Sequence, residues 1–357
     1  MPTIRELSER LWNGEITTQD FHPVGWGTRA GEEIADGVLF YKGIASANTV
    51  DTGDGLVMLD TGAVNDTRQL YDEGRKWRPD APLRAAVFSH HHVDHIFGVG
   101  PFEAEAREKR WARPLVYGHE HLDWHFNRYK RTLGWNTAIN RRQFAIDAPQ
   151  FKWQEEYRYP DVTYQSRMRF NTGKLTFELR HTRGETDDAT WTWVPERKLL
   201  APGDLFIWAV PNAGNPQKVQ RYSGEWAAGL REMAALGAET LLPGHGLPIF
   251  GAGRIAAALT DTAELLESVE GQVVALMNTG TTLDRVIHEV QVPQHLLEKP
   301  YLKPVYDDPQ FLIRNVWRLY GGWYDGEPDN LLPAPRAEQA REWNAPSGGP
   351  YPVPARG

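Results

Sequence analysis

Short runs of hydrophobic residues in the first part of the chain predict β-strands. Residues 56–62 and 83–88 are two such runs, and Asp54-Gly55 before the first has the composition of a hairpin turn. Residues 66–77, between the two runs, are predicted to form a helix. Because strands alternate with helices along this part of the chain, the pattern predicts an α/β fold.

The hydrophobic pattern changes in the second part of the chain. Residues 175–180 and 189–194 alternate with a period of two, which predicts two antiparallel strands, whereas residues 255–277 and 283–290 predict helices. Residues 320–328 are too rich in glycine and aromatic residues for a helix. The predicted parts are an N-terminal extension 1–34, an α/β domain 35–254, a helical domain 255–332 and a Pro-rich tail 333–357 that meanders over the surface or is disordered.

Composition narrows the possible functions. The chain has 357 residues, 41% of them hydrophobic, and a net charge of −8 without a basic stripe, which argues for a folded protein and against nucleic acid as a partner. With no cysteine, disulfides, thiolate nucleophiles and thiolate metal sites are excluded. The sequence shows neither a signal-peptide pattern nor an apolar stretch long enough to span a membrane, so we expect a cytoplasmic protein.

Four metal-binding side chains are crowded into one loop after the predicted strand 83–88. They are His90, His92, Asp94 and His95, within the segment Ser-His-His-His-Val-Asp-His. Imidazole and carboxylate groups bind zinc and related cations, and a strand end is a rigid base for loop-borne ligands. A solvated polar loop or a fortuitous histidine run is the alternative, but the internal position and the interleaved aspartate favour a metal site.

Three further donors lie beside glycine just past predicted strand ends. They are Glu185 after Gly184, Asp204 after Gly203 and His245 after Gly244. Glycine permits the sharp turn that directs such a side chain across a sheet edge. The donors are therefore candidates to complete a centre that begins in the 90–95 loop.

The order of these motifs resembles the metallo-β-lactamase-fold hydrolases, whose signature is H-x-H-x-D-H followed by G-H, G-D and G-H. The resemblance spans about residues 35–250 and implies an αββα sandwich with a catalytic domain at 35–254. Glu185 stands where the signature has histidine, a feature of the alkylsulfatase branch, and residues 318–328 are similar to the end of that branch's helical dimerisation domain. The chain departs from the branch at Asp204, where alkylsulfatases carry glutamate, and we expect it to lack their sterol-carrier-like domain.

The resemblance implies a binuclear centre and assigns its ligands. One metal would be held by His90, His92 and Glu185, and the other by Asp94, His95 and His245, with Asp204 and a hydroxide bridging. Zinc is the expected metal, with iron or manganese as alternatives. Two divalent cations, three carboxylates and a hydroxide make this core formally neutral, so extra cationic side chains must hold an anionic substrate.

The loop 210–222 offers polar groups for such a substrate. Its predicted substrate-binding residues are Asn212, Asn215, Lys218 and Arg221, and the predicted catalytic residues are Asp94, Asp204 and Arg221. Arg221 resembles the anion-contacting arginine of the alkylsulfatases by its distance from Trp226, and a guanidinium can donate two hydrogen bonds to one oxyanion. Alternatively, Lys218 and Arg221 are solvated surface charges.

Other histidines and aromatic residues are given lesser roles. His91 is expected to point away from the ligands, where it supports them from behind or packs. Roles in supporting the ligands or lining a pocket are considered for His119, His121 and His125, and only the supporting role for His181. Aromatic side chains that could line an apolar pocket are Trp124, Tyr129, Trp135, Trp153 and Trp208. Core packing is the alternative for the tryptophans.

The resemblance favours hydrolysis of an alkyl or aryl sulfate monoester by the bridging hydroxide. The same centre could instead act on a lactone, thioester, phosphoester or β-lactam, or could be a di-iron oxygen-binding protein of the same fold. A purely structural or binding role is a further alternative. The helical domain is expected to form a homodimer, and the substrate is expected to be a small anion.

Overall fold

The first of two sheets has seven strands, which lie side by side in sequence order. The computed structural model describes residues 2–25 and 27–344. Strands β1 to β4 pair antiparallel and β4 to β7 pair parallel. The strands are β1 Gly31–Ala35, β2 Val38–Lys42, β3 Ser46–Asp51, β4 Leu56–Leu59, β5 Leu83–Val87, β6 Leu115–His119 and β7 Val162–Tyr164.

The helices of this first half are α1 Ile4–Trp12, α2 Thr67–Trp77, α3 Val99–Glu108, α4 His121–Arg131 and α5 Leu133–Gln143. The first sheet begins within the segment 1–34, because β1 starts at Gly31. Ahead of it, α1 packs on later parts of the chain: Glu9 pairs with Arg254 at 2.8 Å, and the rings of Trp12 and Tyr301 stack at 5.1 Å. The N-terminal helix therefore joins the sandwich to the helical region.

A second sheet of six strands has the order β13-β12-β11-β10-β9-β8, with β11 and β12 parallel and the other pairs antiparallel. The predicted pairing of 175–180 with 189–194 is confirmed by the β9–β10 register. The crossover from β11 to β12 carries helix α6, Ser223–Ala234. The strands are β8 Arg167–Thr172, β9 Leu175–His181, β10 Thr190–Val194, β11 Leu199–Ile207, β12 Thr240–His245 and β13 Ile249–Phe250.

The two sheets pack face to face, because their strands alternate side chains between two hydrophobic layers. In β4, Val57 belongs to the main core shared with Trp191 of the second sheet, whereas Met58 lies in the core beneath Leu70 and Phe102 of α2 and α3. A strand buried on both faces reads as a continuous apolar run, as β4 does. The predicted αββα sandwich is confirmed.

The C-terminal region is helical: α7 Ala252–Asn278, α8 Leu283–Glu289, α9 Gln294–Leu297, α10 Pro309–Gly321 and α11 Arg336–Asn344. Among the described residues, no helix is both long and apolar enough to cross a membrane. The structure differs from the expectations at two places, although residues 322–328 are outside the α-helices as expected. Helix α10 includes Tyr320 and ends only where Gly322 takes a left-handed φ of 78°. Part of the tail is the helix α11, which is rich in the helix-forming residues Ala, Glu, Gln and Arg, while residues 345–357 lie outside the described part.

Candidate metal centre

The loop after β5, the loop between β9 and β10, and strand β11 bring one group of four donors together. His90, His92, Glu185 and Asp204 each offer an atom within 4.8 Å of the others. Glu185 Oε2 lies 3.5 Å from His92 Nδ1 and 3.8 Å from His90 Nε2. His90 Nε2 is also 3.7 Å from Asp204 Oδ2. His90, His92 and Glu185 are the residues that the resemblance assigns to one metal.

A second group consists of Asp94, His95 and His245, whose donor atoms also lie within 4.8 Å of one another. His245 Nε2 is 3.4 Å from Asp94 Oδ2 and 3.4 Å from Asp204 Oδ2. His95 Nε2 is 3.3 Å from Asp204 Oδ1. Asp204 therefore touches both groups, one through His90 and the other through His95 and His245.

Three buried donor atoms in these groups lack a hydrogen-bond partner among the described residues. They are His95 Nε2, Glu185 Oε2 and Asp204 Oδ1. The His95–Asp204 approach at 3.3 Å lacks hydrogen-bond geometry. Because an unpaired buried polar atom costs about 1–3 kcal/mol, three such atoms within the two donor groups fit a site built to hold cations. Nitrogen and oxygen donors without sulfur fit divalent cations such as zinc, iron or manganese.

The protonation of the donors also suits a cation. Burial lowers the pKa of His90 and His92 well below the usual range, which leaves imidazole lone pairs available. Burial opposes the charge of Asp204, but the neighbouring His245 and His95 outweigh it and hold its pKa well below the usual range. Burial also opposes a charge on His95, yet Asp204 and nearby carboxylates raise its pKa well above the usual range. A cation would replace that proton as the counter-charge.

Asp60 orients two of the histidines from behind. It has a left-handed φ of 58° at the end of β4, and its carboxylate accepts from Ser89 N at 2.7 Å, Ser89 Oγ at 2.7 Å and His95 Nδ1 at 2.8 Å. Ser89 Oγ lies 2.9 Å from His90 Nδ1. These contacts direct Nε2 of both rings at the centre. Asp60 was not among the residues predicted from the sequence, although its place at a strand end beside β5 was a usable signal.

His245 is oriented by the backbone of a neighbouring loop. Its Nδ1 lies 2.8 Å from the Ile44 carbonyl oxygen. The fully buried Lys42 donates from Nζ to the Ile44 carbonyl at 3.1 Å and to the Gly25 carbonyl at 3.2 Å. Burial lowers the pKa of Lys42 to about 7. Lys42 thus fixes the carbonyl that directs His245 Nε2 towards the metal centre.

The predicted anion-binding Arg221 contacts a donor carboxylate. Its side chain is fully buried, with Nη2 2.7 Å from Glu185 Oε1, and Asn212 Nδ2 donates to the same oxygen at 3.0 Å. Burial raises the pKa of Glu185, and the neighbouring Arg221 cation opposes this shift. The backbone of Arg221 is held by Asn315 of α10, which accepts from its N–H at 3.3 Å and donates to its carbonyl at 3.0 Å.

A cavity of about 240 Å³ lies beside His92. Of the other predicted substrate-binding residues, Lys218 lines this cavity, and its Nζ donates to Asn140 Oδ1 at 3.0 Å. Asn215 lines a separate cavity of about 400 Å³. The lining of the first cavity is His91, His92, Arg128, Tyr129, Trp135, Asn136, Ile139, Pro216, Gln217, Lys218 and Val219.

The aromatic residues considered for a pocket divide between lining and core. Tyr129 and Trp135 line the cavity beside His92, and Trp153 packs against Tyr129 with ring centroids 5.5 Å apart. Trp208 is fully buried in the core, while Trp124 is 56% exposed. Only part of the suggested aromatic set therefore borders the cavity.

The remaining histidines lie outside the two donor groups. His91 points away from them, and its Nδ1 lies 2.9 Å from Asp188 Oδ1. His119 and His181 stack at 3.9 Å, and His119 Nε2 lies 2.8 Å from the Gln165 carbonyl oxygen. The other two, His121 and His125, both lie near Asp187.

The centre consists of buried imidazoles and carboxylates that meet at the edge of an αββα sandwich. This combination defines a metallo-β-lactamase-type protein. Residues 41–245 match the family described as the metallo-beta-lactamase superfamily, and the chain belongs to it. Residues 282–357 match the family described as alkyl sulfatase dimerisation. Helices α8 to α11 lie within that second match.

Curated relatives carry the name alkylsulfatase. A linear primary-alkylsulfatase of Pseudomonas sp. (strain ATCC 19151) is 27% identical over 319 residues, which cover 84% of this chain and 60% of the relative. An (R)-specific secondary-alkylsulfatase of Pseudomonas sp. is 28% identical over 346 residues, which cover 89% of this chain and 52% of the relative. The chain thus spans between half and three fifths of the length of these relatives.

A solved structure supports the fold. The stereoselective inverting sec-alkylsulfatase Pisa1 from Pseudomonas sp. superposes with a TM-score of 0.76 at 22% identity, covering 90% of this chain and 55% of that chain. At this level of identity the similarity shows the fold. Because the match covers 90% of this chain, it extends beyond the sandwich.

Proposed function

We propose that the protein is a binuclear metal-dependent hydrolase that cleaves alkyl or aryl sulfate monoesters. The observation that carries the proposal is the meeting of two donor groups at Asp204, with three buried donor atoms left unpartnered. The names of the relatives favour a sulfate ester over the other esters that such a centre could cleave.

In this proposal His90, His92 and Glu185 hold one cation, Asp94, His95 and His245 hold the other, and Asp204 bridges. Bound divalent cations would acidify water to a nucleophile and offset the negative charge that develops on the departing oxygen. The residues of the chain supply the geometry, because Asp60 and the Ile44 carbonyl fix the ring orientations.

The exposed fractions of the donor side chains indicate the side from which substrate approaches. Asp94 is 24% exposed and His92 is 16% exposed, whereas Glu185 and His95 are 2% exposed or less. His92 is also part of the cavity wall that carries Lys218. We place the substrate on this side, between the more exposed donors and the cavity beside His92.

The proposed activity is tested by turnover of short alkyl sulfates and nitrophenyl sulfate, which the chelator-treated protein should lose and added zinc, iron or manganese should restore. Metal analysis should find two ions per chain. Higher kcat/KM for a lactone, thioester, phosphoester or β-lactam would contradict the sulfatase assignment. A coloured iron protein without hydrolytic turnover would favour the oxygen-binding alternative.

We further propose that the chain forms a homodimer through its C-terminal helices. The match to the dimerisation family covers this region, and the single chain exposes large apolar side chains there that a second copy could cover. They are Tyr320, Trp323, Leu331 and Leu332. Sedimentation at micromolar concentration should give twice the mass of the 40.5 kDa chain, and a monomer under these conditions would remove the proposal.

A further inference from the structure

A pair of stacked histidines lies beside the cavity, outside the donor groups assigned to the metals. The rings of His91 and His125 are parallel within 4°, with centroids 3.6 Å apart. Behind them lie the carboxylates of Asp188 and Asp187, and in front lies Arg128, which lines the cavity. The two histidines therefore lie between a pair of carboxylates and the guanidinium of Arg128.

The hydrogen bonds of the cluster show which nitrogen of each histidine donates and which accepts. His91 Nδ1 lies 2.9 Å from Asp188 Oδ1, and His125 Nε2 contacts Asp187 Oδ1. Carboxylates accept, so each imidazole donates from that nitrogen. The opposite nitrogens face Arg128: Nη2 lies 3.2 Å from His91 Nε2, and Nε lies 3.3 Å from His125 Nδ1. Because a guanidinium only donates, both imidazoles are neutral acceptors on that side.

These contacts argue against a third metal site. His91, His125 and Asp188 are close enough to hold an ion, with donor atoms within 4.8 Å of one another. However, the two imidazole nitrogens that face away from the carboxylates already accept from Arg128. A second cation there would have to displace the guanidinium.

Arg128 keeps hydrogen-bonding capacity towards the cavity. A guanidinium carries five N–H groups, and two of those of Arg128 are used by the histidines. The others have no hydrogen-bond partner among the described residues, and the guanidinium carbon lies 4.7 Å from the centroid of the Tyr129 ring. The cavity wall contains a second cation, Lys218, and no carboxylate among the lining residues that the structure describes. The cavity is therefore positively charged, with Tyr129 and Trp135 as apolar wall.

We propose that Arg128 binds the anionic sulfate group of the substrate in the cavity beside His92, and that His91 and His125 are positioning residues that hold its guanidinium. This inference rests on the proposed function. It assigns to Arg128 the contact that the sequence suggests for Arg221, because Arg221 is fully buried against Glu185 and Arg128 borders the cavity. A planar fork matches two oxygens of a tetrahedral anion.

The test measures binding separately from catalysis. Octane-1-sulfonate replaces the ester oxygen by carbon and is not hydrolysed, so its Kd can be measured by calorimetry on the metal-loaded protein. Arg128→Gln should raise this Kd by about tenfold or more, since charge-assisted hydrogen bonds are lost. The metal content and the affinity for uncharged 1-octanol should stay unchanged. The matched control is Arg131→Gln, an exposed arginine of the same helix, which should bind like wild type.

The positioning role has its own variant. His125→Phe keeps an aromatic ring in the stack but removes the acceptor for Arg128 Nε, so it should raise the Kd for the sulfonate less than Arg128→Gln does. His125→Gln, which can still accept, should restore part of the affinity. A change in the affinity for 1-octanol of the same size would indicate a structural role and overturn this assignment.

The outcomes separate this inference from the proposed function. If Arg128→Gln binds the sulfonate within about twofold of wild type, or if the wild-type protein does not bind it, the inference is overturned. If sulfonate binding depends on Arg128 but no sulfate ester is hydrolysed, only the proposed function fails. An equal loss in Arg131→Gln would show a general charge effect and also overturn the inference.

Discussion

Replacing Asp204 with alanine is expected to abolish sulfate ester hydrolysis and to reduce the bound metal from two ions per chain to one or fewer. Its carboxylate lies 3.3 Å from His95, 3.4 Å from His245 and 3.7 Å from His90. No other carboxylate among the described donors reaches both groups. Losing a ligand shared by two cations should cost at least about 10³-fold in kcat/KM, or about 4 kcal/mol.

Metal analysis and steady-state kinetics on the same preparation measure both effects. Asp80→Asn removes an exposed carboxylate at the turn before β5 and should leave metal content and kcat/KM unchanged. Asp204→Asn keeps the shape and one oxygen acceptor, so it should retain more metal than the alanine variant. Two ions and normal turnover in Asp204→Ala would show that Asp204 does not bridge.

Replacing Arg221 with methionine is expected to destabilise the chelator-treated protein strongly. Arg221 and Glu185 form a buried ion pair at 2.7 Å, and both side chains are 2% exposed or less. Removing one partner of a buried pair leaves an uncompensated charge, at a cost of about 3–5 kcal/mol. The thermal unfolding midpoint should fall, and zinc should restore more stability to this variant than to wild type, because the metal also neutralises Glu185.

A double variant tests the origin of this effect. Glu185→His, Arg221→Met removes both charges and introduces the histidine usual at this position of the signature. It should recover much of the stability lost in Arg221→Met and still bind metal, whereas Glu185→His alone leaves the Arg221 cation buried and unpaired. If the double variant is no more stable than Arg221→Met, the ion pair is not the cause. Arg131→Met, exposed on α4, controls for loss of an arginine.

The metal donors could be predicted from the sequence because their signal is local. Asp204 follows Gly203 inside β11, and the other donors lie near strand ends. Strand periodicity and glycine turns are properties of a few consecutive residues. The roles of the donors nevertheless came from the resemblance, and the ligand assignment remains a prediction. The local patterns predicted an α/β fold, and the αββα sandwich was implied by the resemblance. Helix α11 was missed because the Pro-rich composition around it outweighed its short run of helix formers.

Contacts between distant segments could not be predicted in this way. The contact between His125 and Asp187 spans 62 residues, and that between Arg128 and His91 spans 37. No periodicity links such pairs, so His125 carried no more weight in the sequence than His119 or His121. For the same reason, the sequence suggested a substrate for Arg221, and the structure shows it against Glu185.

The hydrogen bonds between Asn315 and the Arg221 backbone affect the order in which the metal centre can form during translation. All seven donors have been synthesised once the chain reaches His245, but Asn315 is made later and belongs to α10. Until α10 docks, the loop that carries Arg221 lacks the contacts that hold the guanidinium against Glu185. Translation of the C-terminal helices thus comes before completion of the metal centre, and a chain truncated before α10 would carry every donor in an unfinished site.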